Sequence, residues 1–355
     1  MPIRPSFEST WGSNIADRSA KGGESPWSAI MLKAGVAVTY DRRRGDTVLV
    51  YDRIWRLRST ASALHQEAMR RLAAGSTTDE MAALLGARRA ERLIQTLMAA
   101  GLLRNRFINE FTGTAQERQI EYLADLTTNP NEAQRALASA TVCIIGCGGT
   151  GFVALQHVLG AGVRRLVLID PDCVGLENFN RQFVPSRLDL GRPKVAVAME
   201  YARGREPESD IITAQRRIEQ PSDLAAVMDG LSCNLVIGCA DAPPGRIEAI
   251  IVEYCLEHCT PCVFSGVGVR FGTVGPLLVE PQPMGGYLDD LRRMLGDCEL
   301  SAPPSASFGP TNTLIATLMM RDALHFLAGL SSISILNTQW CYRFLEHKYE
   351  VVRSW

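Results

Sequence analysis

From Cys143 to Gly151 the chain reads Cys-Ile-Ile-Gly-Cys-Gly-Gly-Thr-Gly, and the apolar run Leu166–Ile169 that follows ends in Asp170-Pro-Asp172. An apolar run that enters a glycine-tight turn and then a helix describes a buried strand whose turn presents backbone N–H groups to a phosphate. Asp170, about 20 residues beyond the glycines at the tip of the next strand, is placed to bind ribose hydroxyls. Gly146, Gly148, Gly149 and Gly151 therefore predict a nucleotide site on an α/β domain. The glycine pattern alone does not choose the nucleotide, because Gly146, Gly148 and Gly151 satisfy a dinucleotide fingerprint as well as a mononucleotide one.

Further charged and polar residues follow: Asp172, then Asn178, Arg181 and Gln182, then Pro193-Lys194, then Asp241 with Arg246 behind it. A dehydrogenase handling a diphosphate has no evident use for so many additional charges. An enzyme that cleaves ATP does, since a triphosphate carries about four negative charges for cations to offset and Mg2+ takes hard oxygen ligands. Arg181 and Lys194 supply positive charge. Lys194 opens a helix, where the macrodipole disfavours a cation unless an anion lies there too. Asp241 follows a strand end, in the crevice where doubly wound sheets bind ligands, and is the candidate Mg2+ ligand. The plainer alternatives are a turn cap for Asp172, a helix cap with surface residues for Asn178, Arg181 and Gln182, and a helix anchor for Arg246. The set supports attack of a substrate carboxylate on the α-phosphate of ATP, giving an acyl-adenylate and pyrophosphate, with no protein nucleophile.

At these residues the chain resembles the ThiF/MoeB/E1-like adenylyltransferases, whose glycine turn, Asp-x-Asp, Asn-x-x-Arg-Gln, Pro-Lys and late Asp recur here in order over roughly Arg118 to Gly329. The resemblance implies a doubly wound Rossmann-like adenylation domain, a symmetric homodimer, and a crossover loop near the substrate tail. It implies too that Arg118, in Arg118-Gln119, reaches the ATP phosphates of the other subunit, although a surface arginine is an alternative. Many relatives hold a structural zinc with two CxxC pairs. Here Cys259-Thr-Pro-Cys262 has no second pair, only Cys298 and Cys341 downstream, so no zinc is expected. Ubiquitin-activating relatives add a thioester-forming cysteine; Cys173, Cys262 and Cys298 are conceivable positions, none in a setting that lowers a thiol pKa.

The alternation of the remaining sequence gives the organisation. Residues 1–29 read as a polar arm. Val36–Tyr40 and Thr47–Tyr51 around Asp41–Asp46 read as a β-hairpin, followed by helices over Ser62–Ala74, Thr78–Leu85 and Arg89–Ala100. Residues 30–105 thus form a winged-helix-like unit. It resembles the element with which enzymes that modify ribosomally made peptides grip a leader, by adding a strand to an exposed edge. Dimerisation or a plain scaffold is one alternative and nucleic-acid binding through Arg88, Arg89 and Arg92 another. Residues 106–140 read as a linker carrying Arg118. From 141 to 355 strands alternate with helices, and the proline- and glycine-rich stretch 281–310, with a short helix near Tyr287–Leu295, interrupts as the crossover loop.

With 37 Lys and Arg against 38 Asp and Glu, the net charge of -1 gives no global case for nucleic acid or an acidic membrane. No signal peptide or membrane span is evident, so the cytoplasm is expected. Most of the 10 cysteines sit in apolar patterns, as small hydrophobes of a reducing compartment. Together these readings imply an ATP-dependent maturase of the peptide-modifying branch of the family. Within it the layout is nearer the pantocin A-building type than the microcin C7-adenylating type, because the paired zinc motif is missing. A short precursor peptide would be held by the N-terminal unit while one of its carboxylates, a Glu or Asp side chain or the C-terminus, is activated for ring closure. The alternatives are an activator of a sulfur-carrier or ubiquitin-like protein, and an NAD-linked oxidoreductase or nucleotide-binding regulator.

Overall fold

The computed structural model describes residues 29–296 and 306–355 apart from positions 42, 59 and 61. The expected polar arm, Ala29 excepted, and Cys298 lie outside the described residues. The chain divides into two compact units between Phe107 and Ile108.

The first unit runs β1 (Ala29–Leu32), β2 (Ala37–Asp41), β3 (Asp46–Val50), β4 (Ile54–Leu57), α1 (Ala63–Ala74), β5 (Ser76–Thr77), α2 (Thr78–Leu85), α3 (Ala87–Ala99) and β6 (Leu103–Asn105). The hairpin forms as read: β2 and β3 pair from Ala37–Val50 to Asp41–Asp46. Its turn closes because Asp41 Oδ1 accepts from the Arg43 and Arg44 amides and Gly45 adopts φ 71. A third strand, β4, then pairs with β3, giving the order β2-β3-β4, while β1 lies between β5 and β6 in a second sheet. Four residues with an arginine among them carry too little alternation to announce β4 from sequence. Thr77 and Glu80 form a reciprocal capping box at the start of α2. Ile30, Leu49, Met69, Leu72, Met81 and Leu97 are buried between helices and sheets, while Arg88, Arg89 and Arg92 form an exposed face of α3.

The second unit opens with α4 (Glu117–Ala124) and α5 (Pro130–Ser139), so the stretch read as a linker is largely helical. It continues β7 (Thr141–Ile145), α6 (Gly149–Gly160), β8 (Arg165–Ile169), α7 (Lys194–Arg205), β9 (Asp210–Ala214), α8 (Pro221–Met228), β10 (Leu235–Gly238), α9 (Ile247–Glu257), β11 (Cys262–Val267), β12 (Phe271–Leu278), α10 (Pro281–Leu295), α11 (Gly309–Leu327), β13 (Thr338–Arg343) and β14 (Lys348–Ser354). One sheet of eight strands results, ordered β14-β13-β12-β11-β10-β7-β8-β9. Its β11-β10-β7-β8-β9 half is parallel; β12, β13 and β14 add on antiparallel.

Both faces of the parallel half are covered, as continuous apolar strands require. Ile144, Leu168, Ile237 and Val263 pack with Phe152 and Leu155 of α6, Val195 and Ala198 of α7, and Ile315 and Met319 of α11. The alternate residues Ile145, Ile169, Val236 and Phe264 pack with Leu224 of α8, Ile250 and Ile251 of α9, and Met284, Tyr287 and Leu288 of α10. The short helix expected near Tyr287 is a correction: α10 spans 15 residues from Pro281. Pro281 occupies the first turn, where no intrahelical donor is lost. Burial of Met284, Tyr287, Leu288 and Leu291 offsets the poor helix propensity of Gly285-Gly286.

Candidate nucleotide site

The register of the parallel strands sets the site. Phe264, Gly238, Ile145, Ile169 and Ala214 form one row across the sheet. One residue further on stand Ser265, Cys239, Gly146 and Asp170, so the glycine turn and the aspartate meet at the carboxyl ends of neighbouring strands. That is where open α/β sheets bind ligands.

Each glycine of the turn is needed for a different reason. Gly146 has φ 95, and a Cβ there would stand 2.6 Å from the Ala240 nitrogen. A Cβ on Gly151 would stand 1.8 Å from the Gly146 carbonyl oxygen, so α6 packs directly on the turn. A Cβ on Gly149 would meet Asn312 Oδ1 at 2.5 Å and Arg181 Cγ at 3.3 Å. Gly148 differs: a Cβ there would meet nothing within 4 Å. Gly148 is also the N-cap of α6, and no side chain caps the first amides of that helix. These are the residues that the motif places at a phosphate.

Asp170 is 4% exposed, and its carboxylate accepts from the Cys147 amide at 2.6 Å and the Asp172 amide at 2.8 Å. Asp170, expected as a ribose ligand, therefore also shapes the turn. Burial pushes its carboxyl above the usual aspartate range, and the Lys194 ammonium pulls it partly back. Lys194 is itself buried, with Nζ 3.0 Å from Asp172 Oδ2. Its amide donates to the Asp172 carbonyl at 2.9 Å, fixing the start of α7 beside the β8 loop.

Asn178 realises the cap reading: its Oδ1 accepts from the Gly175 amide at 3.0 Å and closes the turn Leu176–Asn178. Arg181 is half-buried and donates to the Glu177 carbonyl and to Asn180 Oδ1, both at 2.9 Å. Gln182 is 2% exposed, and its buried Oε1 has no partner. An orphan acceptor beside Arg181 is what a site built for a further hydrogen-bond donor would leave. Asp241 is exposed, two residues past Cys239. Arg246 is exposed at the N-cap of α9, which starts later than Pro244. Arg118 is exposed in the first turn of α4, and none of these hydrogen bonds includes it. Its neighbour Gln119 joins Gln134 in donating to the Ala161 carbonyl at the end of α6.

Sequence reasoning passed over the start of α11. Asn312 is buried and abuts Gly149, Gly309 abuts the Asn180 carbonyl oxygen, and Ser307 bonds both Asn180 and Asn312. No local pattern links Asn312 to a turn so distant in the chain; only Pro310, marking a helix start, was legible.

Of the thiols nearby, Cys147 is buried and Cys239 half-buried. Burial pushes Cys147 well above the ordinary thiol range and Cys239 up to about 12. In the CxxC segment Cys259 is exposed while Cys262 is buried. Among the described residues no group of three or more His, Cys, Asp or Glu converges as a metal site, and no helix is long and apolar enough to cross a membrane.

A glycine turn, a strand-end carboxylate and a buried lysine at the carboxyl edge of a doubly wound sheet define a Rossmann-type nucleotide-binding domain. The sequence model of the ThiF family matches residues 117–354, and the chain belongs to that family. Its relatives include the sulfur carrier protein ThiS adenylyltransferase of Escherichia coli K12, 30% identical over 206 residues, 57% of this chain and 77% of the relative. The molybdopterin-synthase adenylyltransferase of Salmonella typhimurium is 30% identical over 199 residues, covering 56% and 76%. The chain is thus an adenylyltransferase of the ThiF/MoeB type. Among solved structures, E. coli MccB with AMPCPP and MccA overlays with a TM-score of 0.74 at 20% identity, over 92% of this chain and 97% of that one. PaaA overlays at 0.66 and 17% identity, over 91% and 99%. These two share the fold with this chain across both of its units.

Proposed function

We propose that the chain adenylates a carboxylate of a ribosomally made precursor peptide, whose leader is held by the first unit, so that the activated group is captured within the same peptide. The observation that carries this reading is the first unit itself. The ThiF match begins at residue 117, whereas the likeness to MccB, which has been solved with MccA, extends over 92% of the chain. The unit resembles a winged helix. Its β2 strand pairs only with β3 among the described residues, and β3 is paired on both sides, which makes β2 the free edge of the hairpin. A leader strand added to β2 would gain main-chain hydrogen bonds, with pockets beside α3 setting specificity.

At the nucleotide site the α6 amides and Gly148 receive phosphate, Asp170 faces the ribose, and Arg181 and Lys194 offset the charge that develops as pyrophosphate departs. Asn178, Gln182 and Asp172 hold the surrounding loops, and Asp172 releases Lys194 to the phosphates. Asp241 is the residue that would hold Mg2+, which typically takes one or two carboxylates alongside phosphate oxygens and supplies Lewis-acid charge there. Arg118, exposed in the first turn of α4, serves the site of the second copy in a homodimer. No zinc is required, and the cytoplasm suits the unpaired thiols.

A second reading is activation of a sulfur-carrier protein, favoured by the 30% identical relatives. ATP–pyrophosphate exchange separates the two. Exchange stimulated by short peptides and lost on removal of the first unit supports the first reading; exchange stimulated by a carrier ending in Gly-Gly, with or without that unit, supports the second.

A further inference from the structure

The chain of contacts that runs from Arg181 to the glycine turn passes through Asn180, an unspecified position of the Asn-x-x-Arg-Gln motif, and through Ser307 and Asn312, which no motif includes. Arg181 Nη1 donates to Asn180 Oδ1 at 2.9 Å, and Asn180 Nδ2 donates to the Ser307 carbonyl at 2.9 Å. Asn312 Nδ2 donates to Ser307 Oγ at 3.0 Å and to the Phe308 carbonyl at 2.8 Å. The other end of the Asn312 carboxamide lies against Gly149, close enough that a Cβ there would fall 2.5 Å from Oδ1. Gly309 closes the gap, since a Cβ there would stand 2.5 Å from the Asn180 carbonyl oxygen.

We propose that Asn180 and Asn312 are positioning residues that, joined through Ser307, hold the Arg181 guanidinium and the Gly148–Gly149 turn at a fixed separation. The proposal rests on the reading of this cleft as the nucleotide site. Asn312 is 6% exposed, and a buried carboxamide keeps one orientation only while its partners are satisfied. Asn180 is exposed and is joined toward the turn by two routes, one through Ser307 and Asn312 and one through Arg181, whose Cγ a Cβ on Gly149 would meet at 3.3 Å; Asn180→Asp keeps the second route and breaks the first.

The test compares the full chain with Asn180→Leu, which removes both side-chain bonds, and Asn180→Asp. The aspartate keeps an acceptor for Arg181 but sets an oxygen against the Ser307 carbonyl. Hydrogen–deuterium exchange read by mass spectrometry on the peptide Gly146–Phe152 is expected to speed up by about 5-fold or more in both variants, at a melting temperature within about 2 °C of the parent. ATP titration by calorimetry is expected to weaken about 10-fold in both. Unchanged protection of the turn, or an aspartate variant that behaves as the parent does, overturns the proposal. A parent chain that binds no ATP would instead overturn the nucleotide reading, while the exchange data still judge the coupling.

Discussion

Lys194 Nζ lies 3.0 Å from Asp172 Oδ2, a buried ammonium paired with a carboxylate whose side chain is 55% exposed. The pairing explains how a cation is tolerated in the first turn of α7, against the helix dipole. On the proposed reading, Asp172 is the partner that a phosphate would replace. Lys194→Met is expected to lower ATP–pyrophosphate exchange by at least about 100-fold, because a charge aimed at the transition state is lost. Asp172→Asn is expected to leave binding of a triphosphate intact or tighter, while stability falls by about 1 kcal/mol as the cation loses its partner. Steady-state kinetics and thermal unfolding read both. Equal loss of ATP affinity in the two variants would mean that Asp172 itself contacts the ligand.

The glycines make a graded prediction. Gly151→Ala must displace the Gly146 carbonyl, and a loss of about 3 kcal/mol or more is expected. Gly148→Ala meets nothing within 4 Å at φ -94, so stability should change by less than about 1 kcal/mol while ATP affinity falls. Denaturant melts and calorimetry give the two readings. A Gly148→Ala protein that binds ATP normally would move the phosphates away from α6.

Thiol reactivity follows from burial. Cys239, pushed up to about 12, and Cys147, pushed well above the ordinary thiol value, hold their protons across neutral pH. Thiolate appears only as pH rises well beyond the ordinary thiol range, so both should resist iodoacetamide at pH 8, whereas the exposed Cys173 and Cys259 are labelled. Peptide mapping after brief alkylation checks this. Rapid labelling of Cys147 in the folded protein would show that the turn opens in solution.

Arg118 lends itself to complementation. Arg118→Ala and Asp241→Ala chains should each be inactive alone. If Arg118 serves the second copy of a symmetric dimer, co-refolded mixtures should recover about a quarter of the parent activity, since half the dimers would hold one intact site. No recovery in a mixture shown to contain heterodimers would confine Arg118 to its own subunit or to the surface.

The parallel half of the sheet was legible because its strands are buried on both faces and therefore read as apolar runs such as Cys143–Ile145 and Leu166–Ile169. The glycine turn and Lys194 were legible for a related reason: each breaks a local preference that only a ligand or a close approach repays. What sequence did not reveal depends on tertiary contact. β4 exists because β3 offers it an edge, and α10 begins early because Met284 and Tyr287 find a core to enter. Asn178, a motif position, makes a turn-closing contact, whereas the contacts of Asn180 with Arg181 and of Asn312 with Gly149 follow no local pattern.

The central claim is that the carboxylate of a peptide attacks the α-phosphate of ATP. It is tested most directly with synthetic peptides, translated from short reading frames beside the gene, whose glutamate and aspartate side-chain and C-terminal carboxylates are 18O-labelled in separate preparations. Mass spectrometry of the products after incubation with ATP and Mg2+ should find the label in AMP, for one labelled position, and only with the first unit present. Label in inorganic phosphate with ADP as the nucleotide product, or label transfer that is indifferent to the first unit, would contradict the account.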